Sequence, residues 1–554
     1  MKLLLTLLFL FSLHTPSCGQ NLHLQVKIKD QGSLSDSINY RNEFKNIKEL
    51  KKEVSSVQKR FIKKGQIDVF HKLIKKNDSL YICDFFLGLK IKQIKINIPK
   101  EVEKVLPKKY KNKKEFTIEF QNTENFLQTL NEEIANQGQP FNSLFLKNIE
   151  KRDTILIGTL QKNINQKRTI DNIIIKGYEK FPKSYLKNFL NIRKGRIFNK
   201  KKIDKNIKKI KNLDFAKSTR TPEVLFTKDS TTLYLFLQKK NSNTFDGFLG
   251  FSNEEESNNL QLNGYINLKL KNNLNYGEEL TVEYKNNGDK LSLFFANLKL
   301  PFLFNTPLGT EASLRITRQD STFSTTNQKI GINYQILPEL ITGINYETEN
   351  SKSLENTSTA VQTNQEDYET NYLNFKTEYS QKHNNELFNN KIYGALEAGI
   401  GKRISLNEKT DQQKIKFSAN KIFNINKRNF IYIANHTGFI NSENYLNNEL
   451  FRTGGIQNLR GFQENSIITN FYTFFNTEYR YLLDQNLYTH SIFDFGKFEN
   501  QNQKTDTNVY SIGIGLGLKT RSGLLKLLIA NGKTNNQNFE FKNTKVHLSL
   551  TTQF

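Results

Sequence analysis

An arginine lies between apolar and small neighbours in an otherwise polar stretch of the chain. Residues Phe451–Ser466 read FRTGGIQNLRGFQENS, and Arg460 stands there after Leu459 and before Gly461 and Phe462. A guanidinium presents its donors in a rigid planar fork, which fits carboxylates in a way that an ammonium group cannot reproduce. An arginine in so fixed a setting predicts acidic partners on neighbouring elements.

Two carboxylates downstream have the right placement to be those partners. The segment NFYTFFNTEYRYLL carries Glu478 on one face of an alternating pattern, and the next segment carries Asp494 between Phe493 and Phe495. Because successive side chains of a strand point to opposite faces, Glu478 and Asp494 are predicted to point to the same polar interior from adjacent strands. We therefore predict that the Arg460 loop folds back and bridges both carboxylates.

The elements that position these residues alternate throughout the second half of the chain. From Thr244 to Phe554, apolar and polar residues alternate between Asn, Gly, Asp and Lys turns. We count 16 such segments, near residues 244, 259, 276, 290, 308, 322, 338, 368, 387, 411, 427, 470, 489, 508, 523 and 543. Residues 244–554 are thus predicted to form an all-β transmembrane barrel of 16 antiparallel strands. A soluble β-sandwich or propeller is the alternative, but no blade repeat is visible and aromatic residues concentrate near segment ends.

Two further segments agree with a barrel. The last one alternates up to Gln553 and ends on an aromatic residue, Phe554, which resembles the C-terminal targeting signature of outer-membrane barrels. In GIGLGL, the glycines 513, 515 and 517 share one face, which predicts inward positions that leave room for an inserted loop. This GxGxG pattern lies within a strand pattern and no helix follows it, so a phosphate loop is not expected.

Residues 20–243 mix helical and strand-like spacing. From Ile170 to Leu237 the order is β-α-α-β-β in about 70 residues, and similar orders occur twice earlier. These repeats divide this half into modules at 20–89, 90–165 and 166–243.

The N-terminus has the pattern of a secretory signal peptide over residues 1–19. Lys2 is followed by an apolar run from Leu3 to Leu13 and a small-residue exit, and we expect cleavage after Gly19. A lipid anchor on Cys18 is the alternative, although Thr15 stands where a lipobox requires Leu. Cys83 is then the one remaining thiol, so the exported protein is not built on disulfides.

Composition and motifs exclude several classes. The net charge is +27, but the lysines spread along the chain without zinc-finger spacing or RNP-like motifs, so no nucleic-acid partner is expected. No apolar run of 18 residues follows the signal, which argues against helical membrane spans. The chain contains no HExxH, CxxC, GxSxG or P-loop motif. We expect neither catalytic residues nor a cofactor nor a metal.

Taken together, these motifs resemble the BamA/TamA superfamily of outer-membrane assembly proteins, which includes the two-partner secretion transporters. GGIQNLRGF is similar to the family's loop-6 motif, NTEYRYLL and FDFG to the strands that hold that loop, and residues 170–217 to the periplasmic POTRA repeat next to the barrel. Three POTRA modules before 16 strands look most like TamA. The implied fold is α+β POTRA repeats followed by an all-β barrel.

The resemblance implies a function without enzymatic chemistry. A barrel in the outer membrane of a Gram-negative-type bacterium would assist the insertion or export of unfolded client proteins through a lateral seam between its first and last strands. The periplasmic POTRA modules would guide clients and offer a surface for an inner-membrane or lipoprotein partner. Two alternatives stay open: a two-partner secretion transporter of one large exoprotein, and a passive porin.

Overall fold

The computed structural model describes residues 21–29, 39–103, 106, 110, 112–163, 166–253, 260–286, 291–319, 322–354, 364–405, 408–455, 458–520, 523–535 and 539–554. The predicted signal peptide, its cleavage after Gly19 and the alternative anchor on Cys18 lie outside the described residues. The chain divides into two compact units. One takes the chain up to Thr169 together with Ile197–Lys200, and the other takes Ile170–Arg196 and Lys201–Phe554.

The first unit begins with a four-stranded sheet covered by one helix. Its strands are β1 Leu22–Ile28, β2 Glu43–Phe44, β3 Phe70–Lys75 and β4 Leu80–Phe86, in the order β2-β1-β4-β3, and its helix is α1 Ile47–Lys63. Asn46 caps α1 by accepting from the Glu49 N–H at 2.9 Å. The helix buries one apolar face against the sheet, and Cys83 lies in that core without exposure. Burial raises the pKa of the Cys83 thiol to about 12, as expected of an inert buried thiol.

A second sheet of the same unit repeats this arrangement. Its strands are β5 Gln93–Asn97, β6 Glu115–Glu119, β7 Ser143–Arg152 and β8 Ile155–Asn163, in the order β6-β5-β8-β7. The helices are α2 Lys100–Glu103 and α3 Thr123–Asn136. The central strands β5 and β8 run parallel, and their apolar residues form one core with the buried residues of both helices.

The second unit begins with a third small sheet. Strands β9 Asn172–Lys176, β10 Ala216–Ser218, β11 Glu223–Phe226 and β12 Thr231–Lys239 meet on β12, which pairs parallel with β9 and antiparallel with the other two. Helix α4 Lys200–Ile207 and the short helical segments Tyr185–Phe189 and Lys208–Asn212 carry its remaining buried residues. We refer to this sheet with its helices as the third module.

A closed antiparallel barrel follows, and it confirms the predicted count of 16 strands. Its strands are β13 Thr244–Asn253, β14 Leu260–Lys271, β15 Glu279–Asn286, β16 Leu291–Leu300, β17 Leu308–Gln319, β18 Phe323–Leu337, β19 Leu340–Ser353, β20 Tyr368–Lys382, β21 Asn390–Ser405, β22 Glu408–Asn424, β23 Asn429–Asn441, β26 Phe471–Leu482, β27 Leu487–Asn500, β28 Thr505–Lys519, β29 Gly523–Thr534 and β30 Lys545–Gln553. Strands β24 Phe451–Thr453 and β25 Ile467–Thr469 form a separate hairpin. No described helix is both long and apolar enough to cross a bilayer.

The wall of the barrel shows the expected alternation. On β28 the outward positions Ile512, Ile514 and Leu516 are exposed, while glycines 513, 515 and 517 lie on the inner face. The expectation that these glycines leave room for the loop is wrong in its detail. A Cβ on Gly515 would meet the His490 ring, and one on Gly517 would meet the Tyr488 ring. Side chains of the neighbouring strand occupy that space.

The barrel closes between its first and last strands over a short stretch. Strands β13 and β30 pair at Thr244–Gln553 and Phe245–Thr552, and the Phe554 N–H donates to Asn243 O at 3.0 Å. By contrast, β13 pairs with β14 along its full length from Thr244 to Asn253. Among the described pairings, the seam is thus the least extensive junction between neighbouring strands of the wall.

Candidate functional site

The long connection between β23 and β26 contains the Arg460 motif and returns through a small hairpin. Strands β24 and β25 pair antiparallel at its base, and the Asn500 side-chain amide holds β25 by donating to Ile468 O at 3.0 Å. Thr469 is fully buried there and its hydroxyl lies 2.5 Å from Glu499 O. The base of the loop is therefore tied to the end of β27.

The tip of the loop bends sharply at glycines and buries one leucine. Gly454, Gly455 and Gly461 have positive φ angles of 110°, 93° and 82°, a region that favours glycine. Leu459 is fully buried and packs in a core with Ile467, Phe474 and Val509, residues of the loop and of the barrel wall. The tip is thus packed inside the barrel by an apolar residue next to the arginine.

Arg460 lies between the two carboxylates that the sequence pattern selected. Its Nε donates to Asp494 Oδ2 at 2.8 Å, and its main-chain N–H donates to the same oxygen at 3.1 Å. Its Nη2 and Nη1 donate to Asp494 Oδ1 and Glu478 Oε1, respectively. Arg460 is 5% exposed, Glu478 7% and Asp494 0%. We call these three residues the clamp.

Glu478 also contacts Arg480 and His490. Its other carboxylate oxygen accepts from Arg480 Nε at 2.7 Å and lies 3.5 Å from His490 Nδ1. The Arg480 guanidinium lies over the Tyr432 ring, 4.2 Å from its centroid. Together with Arg480, the clamp contains two arginines and two carboxylates, so this buried group carries no net charge.

The rest of the motif, Gly461 and Phe462, packs against β28 and β29. Gly461 approaches Ser511 of β28 and the main chain of Gly532 in β29 so closely that any Cβ would collide with them. Gly532 in turn faces the Phe462 ring, which a side chain at position 532 would displace. The motif therefore connects β26 and β27, which hold Arg460, to β28 and β29, which receive Gly461 and Phe462.

A second buried arginine, which no sequence motif marks, holds the first part of the same connection. Arg403 of β21 is 1% exposed and its Nη1 donates to Glu449 Oε1 at 2.5 Å. Glu449 also accepts from Gln412 Nε2 at 3.0 Å and from the Leu446 N–H at 2.9 Å. Both Glu449 and Arg403 lie in segments with ordinary polar composition. The one sequence signal for this pair is that Arg403 falls on an inward-facing position of the alternating pattern of its strand.

The third module is joined to one end of the barrel by polar contacts. The Tyr185 hydroxyl donates to Gly277 O at 3.2 Å, the Asn188 amide to Thr306 O at 3.1 Å, and the Asn212 amide to Glu339 at 2.9 Å. We call the barrel end formed by the turns 272–278, 301–307 and 338–339 the near rim. These contacts place the third module directly against it.

An ionic contact at the same junction is half-buried. Asp214 of the third module lies 2.8 Å from Lys271 Nζ and 3.0 Å from Lys382 Nζ. Burial alone would raise the pKa of Asp214, but the two ammonium groups outweigh it and hold that pKa well below its usual range. Burial also raises the pKa of the Tyr185 phenol. The junction is thus a set of charged and neutral hydrogen bonds rather than an open hinge.

Chemically, the clamp is suited to holding a conformation. Both carboxylates accept from guanidinium groups, and within the described parts of the chain no group of three His, Cys, Asp or Glu side chains could hold a metal ion. Buried ion pairs add little net stability but leave a costly unpaired charge when one partner is lost. The arrangement therefore favours one position of the loop inside the barrel.

Comparisons with known proteins agree with this architecture. A family model described as POTRA, surface antigen variable number repeat, matches residues 168–238. A search of curated proteins found no match. CdiB from Escherichia coli is 11% identical, with 92% of this chain and 97% of that chain covered at a TM-score of 0.52. CdiB from Acinetobacter baumannii is 15% identical, with 84% and 90% covered at 0.51.

A third solved structure, BamA from Haemophilus ducreyi lacking POTRA domains 1-3, is 12% identical, with 84% of this chain and 100% of that chain covered at a TM-score of 0.49. The CdiB structures show that the fold is shared. Residues 168–238 therefore match a POTRA repeat, and residues 244–554 form a closed 16-stranded barrel. A POTRA match followed by such a barrel is consistent with the resemblance to the BamA/TamA superfamily that the sequence motifs indicated. The particular likeness to TamA stays a prediction.

Proposed function

We propose that this protein is a non-enzymatic assembly or translocation factor in the outer membrane of a Gram-negative-type bacterium. Its barrel would admit client proteins at the seam between β13 and β30, and its N-terminal modules would guide clients from the periplasm. The observation that carries the proposal is the short pairing at that seam. The POTRA match and the shared fold with CdiB support the class of protein.

The seam has a direct physical consequence in a bilayer. Backbone N–H and C=O groups that face lipid without partners are costly, so a partly paired edge binds any strand that can complete it. A client strand could pair with the exposed edge by β-augmentation and release it once the client barrel closes. Thr552 and Phe245 would be among the first residues to separate, because they end the paired stretch.

The clamp supports the same mechanism from inside the barrel. The loop tip that Arg460 holds occupies the lumen and contacts both β28 and β29, which lead to the last strand of the seam. A loop held in this way would brace the wall while the seam opens, and it would obstruct free diffusion through the lumen. A passive porin would gain nothing from such a brace.

The test is to lock the seam with a disulfide. Phe245→Cys with Thr552→Cys links a register pair across β13 and β30, and Cys83 stays buried and unreactive. Oxidised protein in vesicles should lose its ability to accelerate insertion of a small client barrel, and a reductant should restore it. The matched control is Thr342→Cys with Thr377→Cys, a register pair of β19 and β20.

The control disulfide should leave insertion unchanged. Full insertion activity of the locked seam variant would remove the lateral route and with it the assembly mechanism. Gel mobility with and without heating should be the same for both variants, which separates a failure of mechanism from a failure to fold.

A two-partner secretion transporter is the second candidate, and the fold shared with CdiB favours it. Such a transporter would move its cargo through the lumen, so a disulfide across the seam would not reduce secretion. The loop that Arg460 holds would have to leave the lumen to let the cargo pass. Three α/β modules before the barrel favour the first candidate, since two POTRA modules are usual in the second. Planar-bilayer conductance of Arg460→Ala tests the porin alternative, which requires a large steady pore unaffected by the change.

The expected partners follow from this proposal. The bilayer contacts the outward apolar residues of the barrel, and unfolded client proteins contact the seam and the modules. An inner-membrane or lipoprotein partner would bind through the POTRA modules. Depletion of the protein followed by proteomics of the outer membrane would identify the clients by their loss.

A further inference from the structure

The positive charge of the chain is unevenly distributed between its regions. Residues 244–554 carry 31 Lys and Arg and 31 Asp and Glu, so the barrel region is neutral. Residues 166–243, which contain the third module, carry 21 Lys and Arg but six Asp and Glu, a net charge of +15. Some of those acidic groups serve other contacts, since Asp214 binds two barrel lysines and Glu223 pairs with Arg220. The module therefore carries a large excess of positive charge that its own acidic residues do not neutralise.

Part of this charge lies beside the barrel. Lys183, Lys187, Lys208 and Lys211 are exposed, and none of them has an ion pair within the described residues. Lys187 directly precedes Asn188, which donates to Thr306 of the near rim. Lys211 directly precedes Asn212, which donates to Glu339 of the same rim. We call these four residues the rim lysines.

Exposed apolar side chains stand at the same rim. Phe304 lies in the turn that receives Asn188 and is 94% exposed. Leu337 ends the strand next to Glu339 and is 53% exposed. In a membrane-embedded barrel these positions are where the hydrocarbon ends and the headgroups begin, and aromatic residues are enriched at that boundary.

We propose that the rim lysines bind the anionic phospholipid headgroups of the leaflet that faces the third module, with Phe304 inserted beside them. This inference rests on the proposed membrane location of the barrel. Basic side chains within a Debye length of an anionic leaflet are attracted to it, and an adjacent apolar anchor strengthens the attachment. The contact would hold the third module flat against the membrane beside β16–β19.

The lipid assignment is favoured over an acidic client segment by position. The rim lysines follow the turns at the membrane boundary instead of lining a groove or an unpaired strand edge of the module. A client segment would be expected to use the free edge of a sheet, where main-chain groups are available.

The experiment uses the full-length protein in vesicles with the modules facing outward. A water-soluble acetylating reagent is added, and the modification rate of each lysine is measured by mass spectrometry. Vesicles of phosphatidylcholine are compared with vesicles that also contain phosphatidylglycerol. We expect the rim lysines to react roughly threefold or more slowly with phosphatidylglycerol, and high salt to abolish the difference.

Internal and variant controls sharpen the result. Lys51, Lys52, Lys59 and Lys72 are exposed lysines of the first sheet's module, and their rates should not depend on the lipid. Because the chain contains no Trp, Phe304→Trp provides a single emission signal, and brominated lipids should quench it. Substitution of the four rim lysines by Gln should lower the quenching by brominated phosphatidylglycerol, while Gln at the four control positions should not.

Three outcomes would overturn the proposal. One is equal acetylation of the rim lysines in both kinds of vesicle, and another is an unquenched Trp signal at position 304. The third is protection that appears only when an acidic client is added, which would assign the surface to protein instead of lipid. Heat-dependent gel mobility reports folding of the barrel in the same samples, so a failure of the membrane location itself would be recognised separately.

Discussion

The connection between β23 and β26 is held by two buried arginines with opposite arrangements. Arg460 belongs to the loop, and its carboxylate partners Glu478 and Asp494 belong to the wall. Arg403 belongs to the wall, and its partner Glu449 belongs to the connection. Arg460 has two carboxylate partners, and Arg480 lies nearby on Glu478. Arg403 has one carboxylate partner, and its other hydrogen-bond partners are neutral.

This difference predicts different roles for the two arginines. Arg460 is expected to position the loop inside the barrel, and Arg403 to hold only a local part of the connection. Arg460 connects strands on the side of the barrel that leads to the seam, since its neighbours Gly461 and Phe462 contact β28 and β29. Arg403 fastens residues 444–449 to β21 and β22. Loss of the first should disturb the path of the loop through the lumen, and loss of the second should loosen only the part of the connection nearest to β23.

The largest effect is expected for Arg460→Ala. The substitution leaves Glu478 and Asp494 buried with less compensation, a change that costs about 3–5 kcal/mol for a buried pair. The barrel should still fold, but client insertion in vesicles should fall by roughly tenfold or more, since each 1.4 kcal/mol is a factor of ten. Arg428→Ala, which removes an exposed arginine from a turn, is the matched control. Wild-type rates in Arg460→Ala would exclude the loop from the mechanism.

A smaller effect is expected for Asp494→Asn, and a still smaller one for Glu478→Gln. Asp494 accepts from the main-chain N–H, Nε and Nη2 of Arg460, whereas Glu478 divides its oxygens between Arg460 and Arg480. Hydrogen bonds to charged groups contribute about 1.5–3 kcal/mol each. Insertion rates of the two variants, measured side by side, should rank in this order. The reverse ranking would make Glu478 the main anchor.

Arg403→Ala should act on structure more than on activity. Glu449 keeps its bonds from Gln412 and from the Leu446 N–H but loses its cation, so residues 444–449 should exchange amide hydrogens faster. Client insertion should fall by no more than about threefold. Such a change corresponds to less than the roughly 1.4 kcal/mol of a tenfold change in rate. Hydrogen exchange by mass spectrometry and insertion kinetics give the two numbers. A loss of insertion as large as that of Arg460→Ala would erase the distinction between the two anchors.

The smallest effect is expected for Glu464→Gln. Glu464, at the tip of the loop, pairs with Lys285 of β15 across the lumen, and both side chains are partly exposed. Exposed ion pairs contribute about 0–1 kcal/mol. Neither insertion rate nor folding should change measurably, whereas a large loss would mean that the tip needs a second anchor on the far wall.

Most of the fold could be predicted because periodicity is local. Alternation along single segments such as Lys545–Gln553 predicts strands, and their number and length predict the closed barrel. Glu478 and Asp494 could be assigned to the inner face because their neighbours on the same strand point outward. Glu478 stands between Thr477 and Tyr479, and Asp494 stands between Phe493 and Phe495. The Arg403–Glu449 pair could not be found in this way. Its residues are 46 positions apart in the chain and no motif marks either of them.

Some features were decided by packing between elements. The inward glycines of β28 were predicted to make room for the loop, but His490 and Tyr488 fill that space and the loop packs instead against Ser511 and Gly532. The alternation along a strand predicts which face a residue occupies. It does not predict which side chain of a neighbouring strand fills the space beside a glycine.

By itself, the amino-acid sequence determined the two kinds of region, the strand count and the inner face of each strand, because these depend on the period of apolar residues within short segments. The tertiary structure decided where the loop is clamped, how little the first and last strands pair, and that the third module binds the near rim through Tyr185, Asn188 and Asp214. Those features depend on residues far apart in the chain that meet only when the barrel closes, so no local pattern encodes them.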